Sequence, residues 1–302
     1  MFFRKHICCF LRSLLREILS KILSGHLPFL SSHALRIMTN TTFRSCEQVL
    51  GFPIAADPFP HQIECIMRWG KQRLSRFVCA ANVHMLMEGR RSPTFAQVLH
   101  HADLLTPDGM PIVWAMNLLT KSSHERVCGM DLMRALCAQA SENDIKVYFM
   151  GTDPPTLSDM HERLQVEFPD LAIAGMKPLP FRPLTTEEDK QVVEEINNSQ
   201  AGIVFVALGC PKQEIWMHQH VRRIQAVMVG VGGAFPMYAG IQKRAPQWVQ
   251  SKGLEWLFRL IQEPGRLWKR YSTTIPPFLV LSAKQIVSYR LRRRLERVFN
   301  KT

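Results

Sequence analysis

The hexapeptide Gly209-Cys210-Pro211-Lys212-Gln213-Glu214 follows directly on the apolar run Ile203-Val204-Phe205-Val206-Ala207-Leu208. Such a short, β-rich, unbroken run predicts a parallel strand covered on both faces. Pro211 suits the first turn of a helix that Lys212 to Met217 continues, so polar side chains gather at a strand's carboxyl end. Lys212, Gln213 and Glu214 can bond a nucleotide, a phosphate or a sugar there, since a helix start favours an anion; equally they can be a helix start facing solvent. A second run, Ala226 to Val231, ends in Gly232-Gly233, where two absent side chains let the backbone come close to a ligand. Asp108, in Thr106-Pro107-Asp108-Gly109, follows a short strand in a turn that presents a carboxylate at the sheet edge. That carboxylate is a candidate proton acceptor, or a cap for the helix expected over 110–119. Asn82, at the end of the strand expected over 77–81, can hold a sugar or cap the next helix.

These stretches resemble the signatures of the WecG/TagA/CpsF glycosyltransferases, together with Gly230-Val231-Gly232-Gly233-Ala234-Phe235 and Arg244-Ala245-Pro246. Ala102-Asp103, Pro107-Asp108-Gly109 and Glu125-Arg126-Val127-Cys128-Gly129-Met130-Asp131-Leu132 extend the likeness, which covers roughly residues 50 to 272. The resemblance implies transfer of a hexose-type sugar from a UDP-sugar to an undecaprenyl-diphosphate-linked saccharide, with inversion, in cell-surface polysaccharide synthesis. It implies Asp108 as general base and appendage arginines, here Arg259, Arg266 and Arg270, as stabilisers of the departing diphosphate. Substrate binding falls to Asn82, Gly209, Lys212, Gln213, Glu214, Gly232 and Gly233. Relatives transfer N-acetylmannosamine, its uronic acid, or glucose, and the segment Val78 to Met85 looks more like the glucosyltransferase branch. Ala80 stands where many relatives carry Thr, so any work of that hydroxyl is done otherwise here.

Many nucleotide-sugar transferases hold a divalent ion with an Asp-x-Asp pair, and this chain contains none. The expectation is a metal-independent reaction with no cofactor. The rival reading, from a different functional class, is a non-catalytic nucleotide-binding regulator or scaffold at the membrane.

Positioning these residues requires a scaffold in which strand ends converge. Helical and strand patterns alternate from about Pro58: helices over 59–73, 83–89, 110–119, 130–141, 155–168 and 186–197, with Thr186 as N-cap, and strands over 77–81, 102–105, 146–150, 171–175, 203–208 and 226–231. This predicts an α/β fold, a mostly parallel Rossmann-like sheet with helices on both faces, over a catalytic domain of residues 50–242. Residues 243–302 read as a basic, Trp/Arg-rich helical appendage. Pro264 would separate two short helices, and Pro276-Pro277 would introduce a further helix over 278–289. Residues 1–40 read as a basic amphipathic extension with a helix over 2–23, unless translation begins at Met38.

The chain has 302 residues, 46% hydrophobic and 21% charged, and a formal net charge of +13. The charge is concentrated at the ends: residues 1–40 carry +5, 41–240 carry −3 and 241–302 carry +11. A mildly acidic body with cationic, aromatic tails argues against nucleic acid and for an anionic membrane surface. Trp256 is placed either at that interface or in the core, and the arginines of 290–297 either on lipid or in solvent. Eight cysteines without Cys-x-x-Cys spacing predict reduced thiols, no zinc site, and a peripheral position on the cytoplasmic face. His218-Gln219-His220 lacks ligand spacing and reads as surface. The site is expected to be complete only when the appendage folds over it, at the bilayer or within a homo-oligomer.

Overall fold

The computed structural model describes residues 45–180 and 182–299, and the described residues fall in one compact unit. The N-terminal amphipathic helix and the alternative start at Met38 lie outside them.

Six strands form the sheet: β3 (Arg76–Ala81), β4 (Leu104–Pro107), β5 (Val147–Gly151), β6 (Ile173–Lys177), β7 (Ile203–Ala207) and β8 (Val227–Gly230). Their order is β4-β3-β8-β7-β5-β6, and every neighbouring pair is parallel. The period of two sends alternate residues into two cores. Phe77, Cys79, Val204, Val206 and Met228 enter one; Val78, Ile203, Phe205, Val227 and Val229 enter the other. Both faces are covered, which is why the strands read as continuous apolar runs.

The second core packs under α1 (Phe59–Lys71), α5 (Gly129–Glu142), α6 (Pro154–Glu167) and α9 (Ala234–Tyr238). The first lies under α2 (Val83–Arg91), α3 (Pro93–His101), α4 (Met110–Thr120), α7 (Thr186–Ser199) and α8 (Lys212–His220). The expected α/β architecture is therefore present. Several elements escaped the sequence reading, the five-residue helix α9 among them. A hairpin of β1 (Cys46–Val49) and β2 (Phe52–Ala55) turns through Leu50 and Gly51, both at positive φ. Helix α3 follows α2 after one residue, Ser92, whose side chain accepts from Phe95 N.

Boundaries moved for local reasons. The strand expected over 102–105 is Leu104–Pro107, because the Asp103 carboxylate instead accepts from Phe77 N and from Arg76 Nη1. Pro107 is tolerated because β4 is an edge strand. The N-cap of α7 is Thr185 rather than Thr186, since only Thr185 closes a capping box with Glu188. His220 is not a surface residue: it is 2% exposed, with Nδ1 against Trp216 O and Nε2 against the Asp189 carboxylate.

The C-terminal segment forms α10 (Gln247–Ser251), α11 (Glu255–Gln262) and α12 (Pro264–Phe299). The break expected at Pro276-Pro277 does not occur; α12 continues through both prolines. Pro277 has no N–H for Thr273 O, and that carbonyl accepts from Arg91 Nη2 at 2.6 Å instead. The helix is seated on the body: Phe278 is 1% exposed in the first core, and Gln285 accepts from Leu50 N while donating to Gln48 O. The missed hairpin is thus a support for α12.

Replacing Phe278 by Ala leaves a ring-sized void under α12 and is expected to lower the unfolding free energy by about 3 kcal/mol in a denaturant titration. A loss under roughly 1 kcal/mol would mean that the helix does not depend on this anchor.

Candidate active site

Because β3, β4, β7 and β8 are parallel, their carboxyl ends open on one edge of the sheet, and that edge holds the polar residues singled out in the sequence. Asp108 N and Gly109 N both bond Ala81 O, so Asp108 is held beside Asn82. The helix after it, α4, has Gly109 as N-cap and no side-chain cap, so the Asp108 carboxylate is free of capping work. Asn82 does cap: its Oδ1 accepts from Met85 N at 3.1 Å while the residue also lines the cleft.

Two chambers meet at these residues. The first, a cavity of about 190 Å³ opening to solvent, is lined by Gly209, Gln213, Gly230, Gly232 and Gly233 on the sheet side and by Arg244, Arg259, Arg266 and Arg270 opposite. The second, about 140 Å³, is lined by Met110, Pro111, Trp256, Leu267, Tyr271 and Ile275, with His84 and Arg126. Asn82, Asp108, Glu255, Arg259 and Arg270 belong to both. Asp108 therefore stands where the glycine-and-arginine chamber opens into the aromatic one. Residues of α11 and α12 close both chambers within a single chain.

The glycines leave room for close contact. Gly232 has φ +47, and a Cβ there would lie 3.3 Å from Gln213 Oε1. A Cβ on Gly233 would lie 3.3 Å from Arg259 Nη2, so the glycine turn is what lets that guanidinium approach.

Most of the expected residues come together, and two do not. Lys212 is exposed and lines neither chamber. Glu214 is fully buried beneath the site, accepting from Gln213 Nε2 at 2.7 Å. Burial pushes its carboxyl up to about 7. Its role is support: it turns the Gln213 amide so that Oε1, buried and unpartnered, faces Gly232. Trp256 is half-buried, edge-on to Tyr271 at 6.2 Å.

Arg126, Glu255 and His84 carry roles that the sequence reading did not assign, although Arg126 lay inside a quoted motif. Arg126 Nη1 donates to Glu255 Oε2 at 2.7 Å. Arg244 pairs with Asp131, and Arg266 with Glu263. Arg259 and Arg270 have no carboxylate partner among the described residues, and Arg270 Nε is buried without a hydrogen bond. Burial, then Arg270, hold His84 down at about 4, so it is neutral at pH 7. Burial raises Asp108 to about 7, Arg126 and Arg259 pulling down and Glu255 and Asp131 pushing up. No group of three His, Cys, Asp or Glu side chains among the described residues is arranged to hold a metal.

The sequence profile of the Glycosyl transferase WecG/TagA/CpsF family matches residues 47–292. An N-acetylglucosaminyldiphosphoundecaprenol N-acetyl-beta-D-mannosaminyltransferase of Bacillus spizizenii is 33% identical over 214 residues, 70% of this chain and 80% of the relative. A Bacillus subtilis protein of the same name is 27% identical over 215 residues, 71% of this chain and 81% of the relative.

A carboxyl raised from 3.8 to about 7 binds its proton more tightly in the native state, so its cost to stability grows as pH rises and is complete above 7. Asp108→Asn is therefore expected to raise the melting temperature at pH 8 and to do so much less at pH 5. An equal or opposite change at the two pH values would contradict that environment.

Proposed function

The chain belongs to the WecG/TagA/CpsF glycosyltransferase family, and from that premise we propose that it moves a hexose-type sugar from a UDP-sugar to an undecaprenyl-diphosphate-linked saccharide. The observation that supports this most is the position of Asp108, uncapped, at the junction of a cationic glycine-lined chamber and an aromatic one. In this reading the first chamber takes the donor. Gly232 and Gly233 admit the diphosphate, and Arg259 and Arg270, the chamber's two arginines without a carboxylate partner among the described residues, answer its charge. Gln213, Gly209 and Asn82 hold nucleotide and sugar. The second chamber takes the acceptor, its aromatic walls suiting a sugar face and the start of a polyprenyl chain.

The acceptor hydroxyl gives its proton to Asp108 as its oxygen bonds the anomeric carbon. The bond from that carbon to the diphosphate breaks on the opposite side, inverting the centre, and UDP leaves with its new charge on the arginines. The two relatives are named for transfer of N-acetylmannosamine to N-acetylglucosaminyldiphosphoundecaprenol; for this chain the donor is N-acetylmannosamine, its uronic acid, or glucose.

No described helix is long and apolar enough to cross a membrane. The appendage exposes Trp248, Ile261 and Trp268 beside Lys252 and Lys269. We propose that this surface rests on anionic lipid at the cytoplasmic face and brings the aromatic chamber to the lipid-linked acceptor.

The test is UDP release from a panel of UDP-sugars with a short-chain polyprenyl-diphosphate N-acetylglucosamine acceptor, EDTA present. Acceptor-dependent release is expected, lost by at least roughly a hundredfold in Asp108→Asn, with kcat/KM rising about tenfold per pH unit below 7 and level above it. UDP binding without release from any donor would favour the regulator or scaffold reading.

A further inference from the structure

We propose that the ion pair between Arg126 and Glu255 is a positioning latch: it seats α11 across the sheet edge so that Arg259 meets the glycine turn, and it sets the charge balance around Asp108. This rests on the transferase reading for its consequences in turnover, but the latch itself is a matter of geometry.

Arg126 is fixed by backbone. The residue after it, Val127, donates its N–H to Pro107 O at 2.9 Å and accepts at its carbonyl from Thr106 Oγ1 at 3.2 Å. Thr106 and Pro107 are the last residues of β4, immediately before Asp108. Arg126 is therefore tied to the strand that presents the carboxylate. Its partner is the first residue of α11, distant in sequence by 129 positions. The side chains are 13% and 17% exposed, so the pair is held in a poorly hydrated place rather than on the surface.

One helical turn beyond Glu255, on the same face of α11, stands Arg259, whose guanidinium reaches Gly233 at the end of β8. In the sheet, β4 and β8 are separated by β3. Helix α11 thus bridges from the edge strand with Asp108 to the glycine turn, fastened at its first residue by Arg126 and delivering Arg259 one turn later. At the far end of α11 Gln262 Nε2 donates to Lys243 O, so Arg126 is the fastening on the Asp108 side of the helix.

The groups facing Asp108 come from four elements. Arg126 lies in the segment before α5, Asp131 in α5 where Arg244 neutralises it, Glu255 and Arg259 in α11, and Arg266 and Arg270 in α12. Glu255 and Arg126 act on Asp108 with opposite sign. Removing one charge at a time should therefore move the titration of Asp108 in opposite directions, an outcome that loss of packing cannot produce.

The experiment compares Glu255→Gln, Arg126→Gln and the exchanged pair Arg126→Glu with Glu255→Arg, all in the full chain. Two readouts are used: the pH midpoint of kcat/KM for UDP release, and the titration of the Asp108 carboxyl by carbon NMR without substrate. Glu255→Gln is expected to lower the midpoint and Arg126→Gln to raise it, each by roughly one pH unit. Both single variants are expected to lose about ten- to a hundredfold in kcat as Arg259 is released, with the exchanged pair recovering part of that loss. Shifts in the same direction, or none in the carboxyl titration, would overturn the latch. Absent turnover in the wild type, with opposite carboxyl shifts in the two variants, would sink the transferase reading and leave the latch standing.

Discussion

Parallel pairing of β3 with β4 on one side and with β8 on the other is the constraint from which the site follows. Parallel strands must send their carboxyl ends to the same edge, and here those ends carry Asn82, Asp108 and the Gly232-Gly233 turn. Pairing is also what keeps the carboxylate free: Asp108 N is used by Ala81 O, Gly109 takes the N-cap position, and the side chain is left with no structural duty. An aspartate in an Asp-Gly turn ordinarily spends its oxygens on local N–H groups. Here the ladder has already used those groups, and burial then raises the carboxyl to about 7.

The second requirement is a roof. A sheet edge alone is open to water, and arginines on a flexible tail would be screened there. The roof is α11 and α12, held by different means at different points: Arg126 grips the first residue of α11, Phe278 enters the core, and Gln285 bonds Gln48 O and Leu50 N where β1 enters its turn. Each anchor lies on a separate part of the body, so the roof is positioned by the whole domain. Arg270 shows the result: burial lowers it, and its Nε is left unpartnered at the chamber wall.

The sheet and most helices were legible because two-sided burial leaves a strong mark, an unbroken apolar run followed by a polar turn. The hairpin was not, because its turn uses Leu50 at positive φ where Asn or Asp would have announced it. Helix α3 was hidden behind the single junction residue Ser92, and α12 behind two prolines, the carbonyl freed by the second being taken by Arg91, remote in sequence. Of the site, the residues at strand ends could be found from the chain alone together with the resemblance. Lys212 and Glu214 were placed by motif, and a motif does not say which face of a helix start looks at the cleft. Glu255 could not be found, because it acquires meaning only from Arg126, across the fold.

The charges of the cleft explain why it is built from so many arginines. Arg126, Arg244 and Arg266 are each matched by a carboxylate, Glu255, Asp131 and Glu263 in turn, and such pairs orient side chains while adding little net field. Arg259 and Arg270 are unmatched, and two uncompensated cations in a half-buried chamber are costly until an anion arrives. Nearby, Asp108 pays the reverse cost, a carboxylate raised by burial. In the transfer proposed above, a diphosphate bound at Arg259 would offset that residue's downward pull on Asp108 and leave the carboxylate more basic. The paired arginines set the geometry, and the unpaired ones make the site responsive to its ligand.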